Sequence, residues 1–191
     1  MSKDRAPMMK TPIGRLSFPS IIEANTKGQY PTNKWQTDFF ISFEDAAKND
    51  DWQKLVDAVK KVASANSDDE IKLPLIDVNT LSDERKIKLP EEVRKNHFML
   101  RARSIFCPLI LGVDAKQLPV EEGKKIKGGD YAMLGVQPFY YKQQGGGVSL
   151  GLQVVQFVKS GKAFSQAKEK MIQLFDEVEI TPEDMMKMAT Q

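Results

Sequence analysis

Residues 34–43 read KWQTDFFISF, and apolar and polar side chains alternate along most of this stretch. One set of alternate positions runs from Trp35 to Phe43 and is mostly apolar, while the other set begins at Lys34 and is mostly polar. A period of two predicts a β-strand with one buried face. Alternation also predicts strands over residues 97–106, 131–142 and 148–158, and residues 12–23, which Pro19 interrupts, fit a bent or edge strand.

A helix is predicted between the second and third strands. Apolar residues recur at three- and four-residue spacing from Trp52 to Val62, and Asn49 supplies a helix-capping side chain. We expect this helix to lie in an insertion of about residues 45–95, the rest of which carries little regular structure. A second, shorter amphipathic helix is predicted over residues 164–175.

Five strands in this order predict a mainly β protein with an OB-fold, a five-stranded barrel that binds oligonucleotides along its second and third strands. The helical insertion would lie between strands two and three, and the short helix would follow the last strand. Strand number alone leaves an SH3-like barrel or a small β-sandwich open. We expect one domain over residues 1–175 and an acidic tail or short helix over residues 176–191.

The composition is that of a soluble globular protein, since 41% of the 191 residues are apolar and 28% are charged. The longest nearly apolar run, from Ile105 to Val113, is far shorter than the roughly 18 residues that a membrane-spanning helix needs. The first residues lack the apolar segment of a secretory signal. We therefore expect a cytoplasmic protein with no membrane partner.

The net charge of +2 conceals an uneven distribution. Three segments are basic, with net charges of +4 over residues 1–37, +5 over 94–142 and +3 over 143–175. The acidic segments are residues 38–93 and 176–191. A fold that brings the basic segments together would present a positive surface to an anionic partner.

No enzyme is predicted, and neither a metal site nor a cofactor is expected. The chain has one histidine and one cysteine, and Cys107 lies in an apolar context typical of a buried, unreactive thiol. Gly147 to Gly151 has the spacing of a nucleophile elbow, but it enters an alternating strand instead of a helix. The adjacent acidic residues of the middle segment are typical of solvated surface.

The remaining pattern is positive charge interleaved with aromatic rings, the combination that single-stranded nucleic acid requires. The candidate DNA-binding residues are Arg15, Tyr30, Lys34, Trp35, Arg101, Arg103, Tyr131, Tyr141 and Lys142. Two alternatives stay open: the two strand arginines could pair with acidic residues of the middle segment, and Trp35 could belong to the edge of the core. Five phenylalanines are expected in the core: Phe39, Phe43, Phe98, Phe106 and Phe157.

Four segments of the chain resemble the phage single-stranded DNA-binding proteins that have an OB-fold. They are Gly14-Arg15-Leu16-Ser17-Phe18-Pro19, Trp35-Gln36-Thr37-Asp38-Phe39-Phe40-Ile41, Gly129-Asp130-Tyr131 and the stretch from Gly147 to Gln156. The resemblance implies a non-catalytic protein that coats DNA exposed during phage replication, recombination and repair. It also implies contacts with replication proteins such as the polymerase, and it leaves a homodimer open.

Two other functions fit the same residues. A broader nucleic-acid binder would also bind duplex DNA or RNA, because phosphate contacts alone do not distinguish these ligands. A protein-interaction or assembly barrel would place its basic surface against an acidic protein.

Overall fold

The computed structural model describes residues 4–26, 31–66 and 71–164. Eight strands and four α-helices form within these ranges, with single 3-10 turns at Val78–Thr80, Glu91–Val93 and Gln143–Gly145. Tyr30 and the predicted tail lie outside the described residues. The predicted helix over residues 164–175 also lies outside them, apart from its first residue. The strands are β1 (Met9–Lys10), β2 (Gly14–Ser20), β3 (Trp35–Ser42), β4 (Leu75–Asp77), β5 (His97–Ser104), β6 (Leu109–Leu111), β7 (Tyr131–Tyr141) and β8 (Gly147–Lys159). The helices are α1 (Phe43–Ala47), α2 (Asp50–Ser64), α3 (Asp83–Lys86) and α4 (Val120–Gly123).

Five of the strands close a barrel. Strand β3 lies antiparallel between β2 and β5, β5 runs parallel to β8, and β8 is antiparallel to β7. Strand β7 also pairs with β2, which completes the circuit. This connectivity confirms the predicted OB-fold. Strands β1, β4 and β6 are short additions to the edges of the barrel.

The barrel interior is filled by the apolar sides of the alternating strands. Leu16, Phe39, Leu100, Leu134 and Leu150 are all fully buried in one cluster. Helix α2 adds the predicted apolar stripe to this cluster and contacts β7, β1 and β8. The Oδ1 atom of Asn49 accepts a hydrogen bond of 2.9 Å from the backbone N–H of Asp51, which caps this helix as expected.

The segment after α2 is more ordered than the sequence indicated. It forms β4, α3 and two of the 3-10 turns, and it covers part of the outer face of the barrel. Val78 and Val93 pack there with Phe40 and Phe164 in a second apolar cluster. This segment is ordered because Phe40 is an apolar side chain on the outward side of β3, and such a side chain must be covered. Within the described residues, no helix is long and apolar enough to cross a bilayer.

Candidate nucleic-acid interface

The insertion leaves one part of the outer barrel surface uncovered, next to the beginning of β3. We call it the open face and define it by five outward side chains: Phe18, Gln36, Asp38, Arg101 and Arg103. Cross-strand pairing sets their positions, since Gln36 lies opposite Arg103 and Asp38 lies opposite Arg101. Adjacent strands lie about 4.8 Å apart, so β2 and β5 bound a strip about 10 Å wide with β3 at its centre.

Arg101 forms an ion pair on this face. Its Nη2 atom donates a hydrogen bond of 2.7 Å to Oδ2 of Asp38, and its Nε donates to Oδ1 of the same carboxylate. The hydrogen bonds to Asp38 raise the pKa of Arg101 above its ordinary value, against an opposing effect of burial. Arg101 is therefore paired with an acidic residue of the middle segment, which is the alternative left open above for the two strand arginines.

Arg103 is in a different state although it lies only two residues further along β5. Its side chain is exposed, and no hydrogen bond or ion pair joins it to any residue in the described ranges. Its neighbour on the parallel strand β8 is Gly151, which presents no side chain. Arg103 is therefore the predicted strand cation whose charge is available to a phosphate.

Two exposed rings lie on or next to the open face, and neither was among the predicted stacking residues. Phe18 is 62% exposed and Phe106 is 73% exposed. The expectation that Phe106 belongs to the core is wrong, because β5 ends at Ser104 and the alternation ends with it. The Ser104 Oγ accepts a hydrogen bond of 3.0 Å from the Phe106 N–H in a turn, which directs the chain outward. Cys107, expected to be buried, is exposed in the same turn.

Phe18 is held outward by an unusual backbone conformation. Its φ of 47° lies in the left-handed region, at an irregularity between Ser17 and Ser20 where the pairing of β2 with β3 shifts. A bulky residue pays a steric cost in this region, and such strain is concentrated at functional sites. The sequence signal was the Phe18-Pro19 pair, since a proline within a strand marks a bulge or an edge.

Trp35 and Lys34 lie at the start of β3, beside the open face. Both side chains are half-buried. The Trp35 indole Nε1 donates a hydrogen bond of 3.2 Å to the carbonyl oxygen of Ile22, which fixes the ring at the rim of the barrel. The half-burial of Trp35 lies between the two predicted alternatives of core edge and stacking surface.

Arg15 and Tyr131 contact the segment that follows β8. The Arg15 Nε donates a hydrogen bond of 3.1 Å to the Gly129 carbonyl, and its Nη2 donates to the Lys162 carbonyl. The guanidinium also lies 5.5 Å from the centroid of the Tyr131 ring and 4.2 Å from that of Phe164. These contacts hold the partly exposed Arg15 side chain against the segment that follows β8, so its guanidinium is engaged within the protein.

Tyr141 and Lys142 lie at the other end of β7. Tyr141 pairs with Gly147 across the predicted β7–β8 loop and is half-buried, whereas Lys142 is exposed. On the same strand, Gln137 pairs with Gly151, which marks the level of Arg103. Tyr141 is four positions after Gln137 along the strand, a distance of about 13 Å. Tyr141 and Lys142 are therefore outside the open face, and only a ligand that extends along the barrel would contact them.

The open face thus combines exposed rings with a cation, Arg103, that is unpaired within the described part of the chain. Phosphate groups would be attracted by Arg103, and unstacked bases could lie on Phe18 and Phe106. The five residues that define the open face all belong to strands, namely β2, β3 and β5.

Comparison with known proteins identifies the family of the chain. Residues 8–186 match the family described as Enterobacter phage Enc34, ssDNA-binding protein. No curated protein matches the sequence significantly.

Solved structures show the same fold. The single-stranded DNA-binding protein from bacteriophage Enc34 in complex with ssDNA is similar with a TM-score of 0.66 and 16% identity, over 86% of this chain and 96% of that one. The single-stranded DNA-binding protein gp2.5 encoded by bacteriophage T7 is similar with a TM-score of 0.59 and 13% identity, over 93% of this chain and 98% of that one. With a family match that spans nearly its whole length, this chain belongs to the family of the Enc34 phage single-stranded DNA-binding protein.

Proposed function

We propose that this protein binds single-stranded DNA on its open face, largely independently of sequence, and coats DNA exposed during phage replication, recombination and repair. The observation that carries the proposal is the exposure of two rings, Phe18 and Phe106, on the same part of the barrel as the exposed guanidinium of Arg103, which has no ion-pair partner among the described residues. Membership in the Enc34 family supports it. The role is non-catalytic, and the place of action is the cytoplasm of the infected host.

Single strands suit this face better than duplexes for a physical reason. A base in a duplex is stacked on its neighbours, and its ring faces are not accessible to a protein side chain. A base in a flexible single strand can turn onto a phenylalanine, and each such contact contributes about 1–3 kcal/mol. Because every base has a ring face, this mode of binding tolerates any sequence.

A titration of fluorescent oligo(dT) at two salt concentrations tests the proposal. We expect the logarithm of the affinity to fall linearly with the logarithm of salt concentration, with a slope of about −0.7 for each neutralised phosphate. Occlusion of roughly 4–16 nucleotides per protein is expected for one barrel of this kind. A weak, length-independent interaction would contradict the proposal.

Competition separates the alternatives. Unlabelled duplex DNA and RNA of equal length should displace oligo(dT) poorly, and equal displacement would indicate the broader nucleic-acid binder. Heparin presents negative charge without bases, so equal retention on heparin and on oligo(dT) would favour the protein-interaction barrel. Incubation of labelled DNA with magnesium should leave the strand intact, and cleavage would contradict the non-catalytic role.

A further inference from the structure

The ion pair between Asp38 and Arg101 occupies the centre of the open face. Two parallel hydrogen bonds join the guanidinium to both carboxylate oxygens, and the two residues are direct cross-strand neighbours on β3 and β5. A bidentate pair of this kind has a fixed geometry. Its two charges cancel, although the proposed ligand is a polyanion.

The pair leaves part of the guanidinium accessible. Half of the Arg101 side chain is exposed, against 14% of the Asp38 side chain. Asp38 occupies the Nε–Nη2 edge of the guanidinium, so the planar faces and the Nη1 group are what a ligand can reach. Guanidinium planes stack on nucleobases, and stacking does not require an uncompensated charge.

Arg103 gives an internal comparison on the same strand. Both arginines point outward from β5, but among the described residues Arg103 has no ion-pair partner. A free guanidinium is a strong phosphate ligand. A guanidinium already paired with a carboxylate offers a phosphate little net attraction, because the phosphate must approach Asp38 as well. The two residues are therefore chemically different sites for one ligand.

We propose that Arg101 contacts the bases of a bound single strand, while Arg103 contacts its phosphates, and that Asp38 is the positioning residue that fixes the Arg101 plane and cancels its charge. This inference rests on the proposed function. It has a consequence for selectivity: the open face should favour strands that offer unstacked bases over polyanions that offer none. The pair would thus reduce nonspecific retention of base-free polyanions.

The test replaces both residues of the ion pair with neutral ones, which leaves the net charge unchanged. Asp38→Asn combined with Arg101→Gln removes the guanidinium plane, and the variant is compared with the unmodified protein on oligo(dT) and on an abasic strand of equal length. We expect the affinity for oligo(dT) to fall roughly fivefold to a hundredfold, the equivalent of one lost stacking contact. The affinity for the abasic strand should stay unchanged. Circular dichroism confirms that the variant is folded.

Arg103→Gln is the matched control, and it should weaken binding to both strands by the same factor. Arg101→Lys keeps the charge and loses the plane, so it should reproduce the loss on oligo(dT) even if the double variant is unstable. Asp38→Asn alone leaves Arg101 uncompensated, so it should tighten binding to the abasic strand and make the salt slope steeper by about 0.7.

The results distinguish a failure of the proposed function from a failure of the role of Arg101. If the unmodified protein binds oligo(dT) no more tightly than the abasic strand, base contact is absent and the proposed function fails. If the unmodified protein prefers oligo(dT) and the double variant and Arg101→Lys keep the full preference, only the role of Arg101 is overturned. Equal losses on both strands would likewise overturn it, because they would make Arg101 a phosphate ligand.

Discussion

Arg103 on β5 lies opposite Gly151 on the parallel strand β8, so the guanidinium borders a position that has no side chain. A Cβ atom at Gly151 would lie 3.7 Å from the ring of Phe139 and 3.5 Å from the Nε2 atom of Gln153. Gly151 itself is buried next to these side chains, whereas the Arg103 side chain is exposed.

This placement predicts the effect of removing the Arg103 charge. Arg103→Ala should weaken binding by the same factor on oligo(dT), oligo(dA) and oligo(dC), and should make the salt slope less negative by about 0.7. The measurement is a fluorescence titration at several salt concentrations. Lys60→Ala is the control, because Lys60 is exposed on α2 and its loss changes the net charge equally. Equal slopes for both variants would show that Arg103 makes no local phosphate contact.

The exposed rings provide a second prediction. Phe18→Ala and Phe106→Ala should each reduce the binding free energy by about 1–3 kcal/mol, because each removes a stacking surface. The Phe106 side chain is largely exposed, so Phe106→Ala should change the free energy of unfolding little. Ile87→Ala is the matched control, since Ile87 is equally exposed but lies on the insertion. If all three variants bind oligo(dT) alike, the two rings are not a stacking surface for the bases.

The backbone at Phe18 gives a prediction about stability. A residue with a Cβ atom is disfavoured at a φ of 47° by about 1–2 kcal/mol, whereas glycine adopts this region without a steric cost. Phe18→Gly should therefore unfold at a higher denaturant concentration than Phe18→Ala. Phe106 is not among the residues with positive φ in the described chain, so glycine relieves no strain there. Phe106→Gly should therefore be less stable than Phe106→Ala, because glycine is entropically costly. The same order at both positions would contradict strain at Phe18.

Tryptophan emission can report where the ligand lies. Trp35 is half-buried beside the open face, whereas Trp52 is buried in the core, 4.7 Å from the ring of Phe98. We expect oligo(dT) to quench the emission of the Trp52→Phe variant, which retains Trp35. The Trp35→Phe variant should lose most of the quenching. Quenching carried by Trp52 instead would place the ligand near α2 and away from the open face.

Local patterns in the sequence were sufficient to predict the barrel. Alternation over residues 34–43 and 97–106 is a property of neighbouring residues, and it marks a strand regardless of what the strand pairs with. The helical stripe from Trp52 to Val62 is equally local. The structured insertion was missed because its apolar residues are too widely spaced to form a period, and their common target is Phe40 on another strand.

The chemical state of each candidate residue depended on contacts that sequence patterns do not encode. The pairing of Arg101 with Asp38 follows from the register between β3 and β5, and these two residues are 63 positions apart in the sequence. The contact of Arg15 with Lys162 spans 147 positions. The exposure of Phe106 follows from the end of β5 at Ser104, and strand ends are the least predictable part of an alternating pattern.

The segment after β8 is fastened to the barrel by close backbone packing, and this gives the last prediction. The buried Asp130 carboxylate accepts a hydrogen bond of 3.0 Å from the Gly161 N–H through its Oδ1 atom. A Cβ atom at Gly161 would lie 2.0 Å from the Gly129 carbonyl oxygen, so no side chain fits there without moving the backbone. Gly161→Ala should therefore lower the free energy of unfolding by about 1–3 kcal/mol, as overpacking does elsewhere.

Gly151→Ala is the matched control for this variant, because a Cβ atom at Gly151 meets its neighbours only at ordinary contact distances. Denaturant unfolding of the two variants should separate them clearly, with Gly161→Ala the less stable. Arg15→Ala should resemble Gly161→Ala, since it removes the hydrogen bonds to the Gly129 and Lys162 carbonyls. Its salt slope on oligo(dT) should match that of the unmodified protein, because Arg15 acts on the fold. A slope reduced by about 0.7 with unchanged stability would instead make Arg15 a phosphate ligand, as its position in the sequence first indicated.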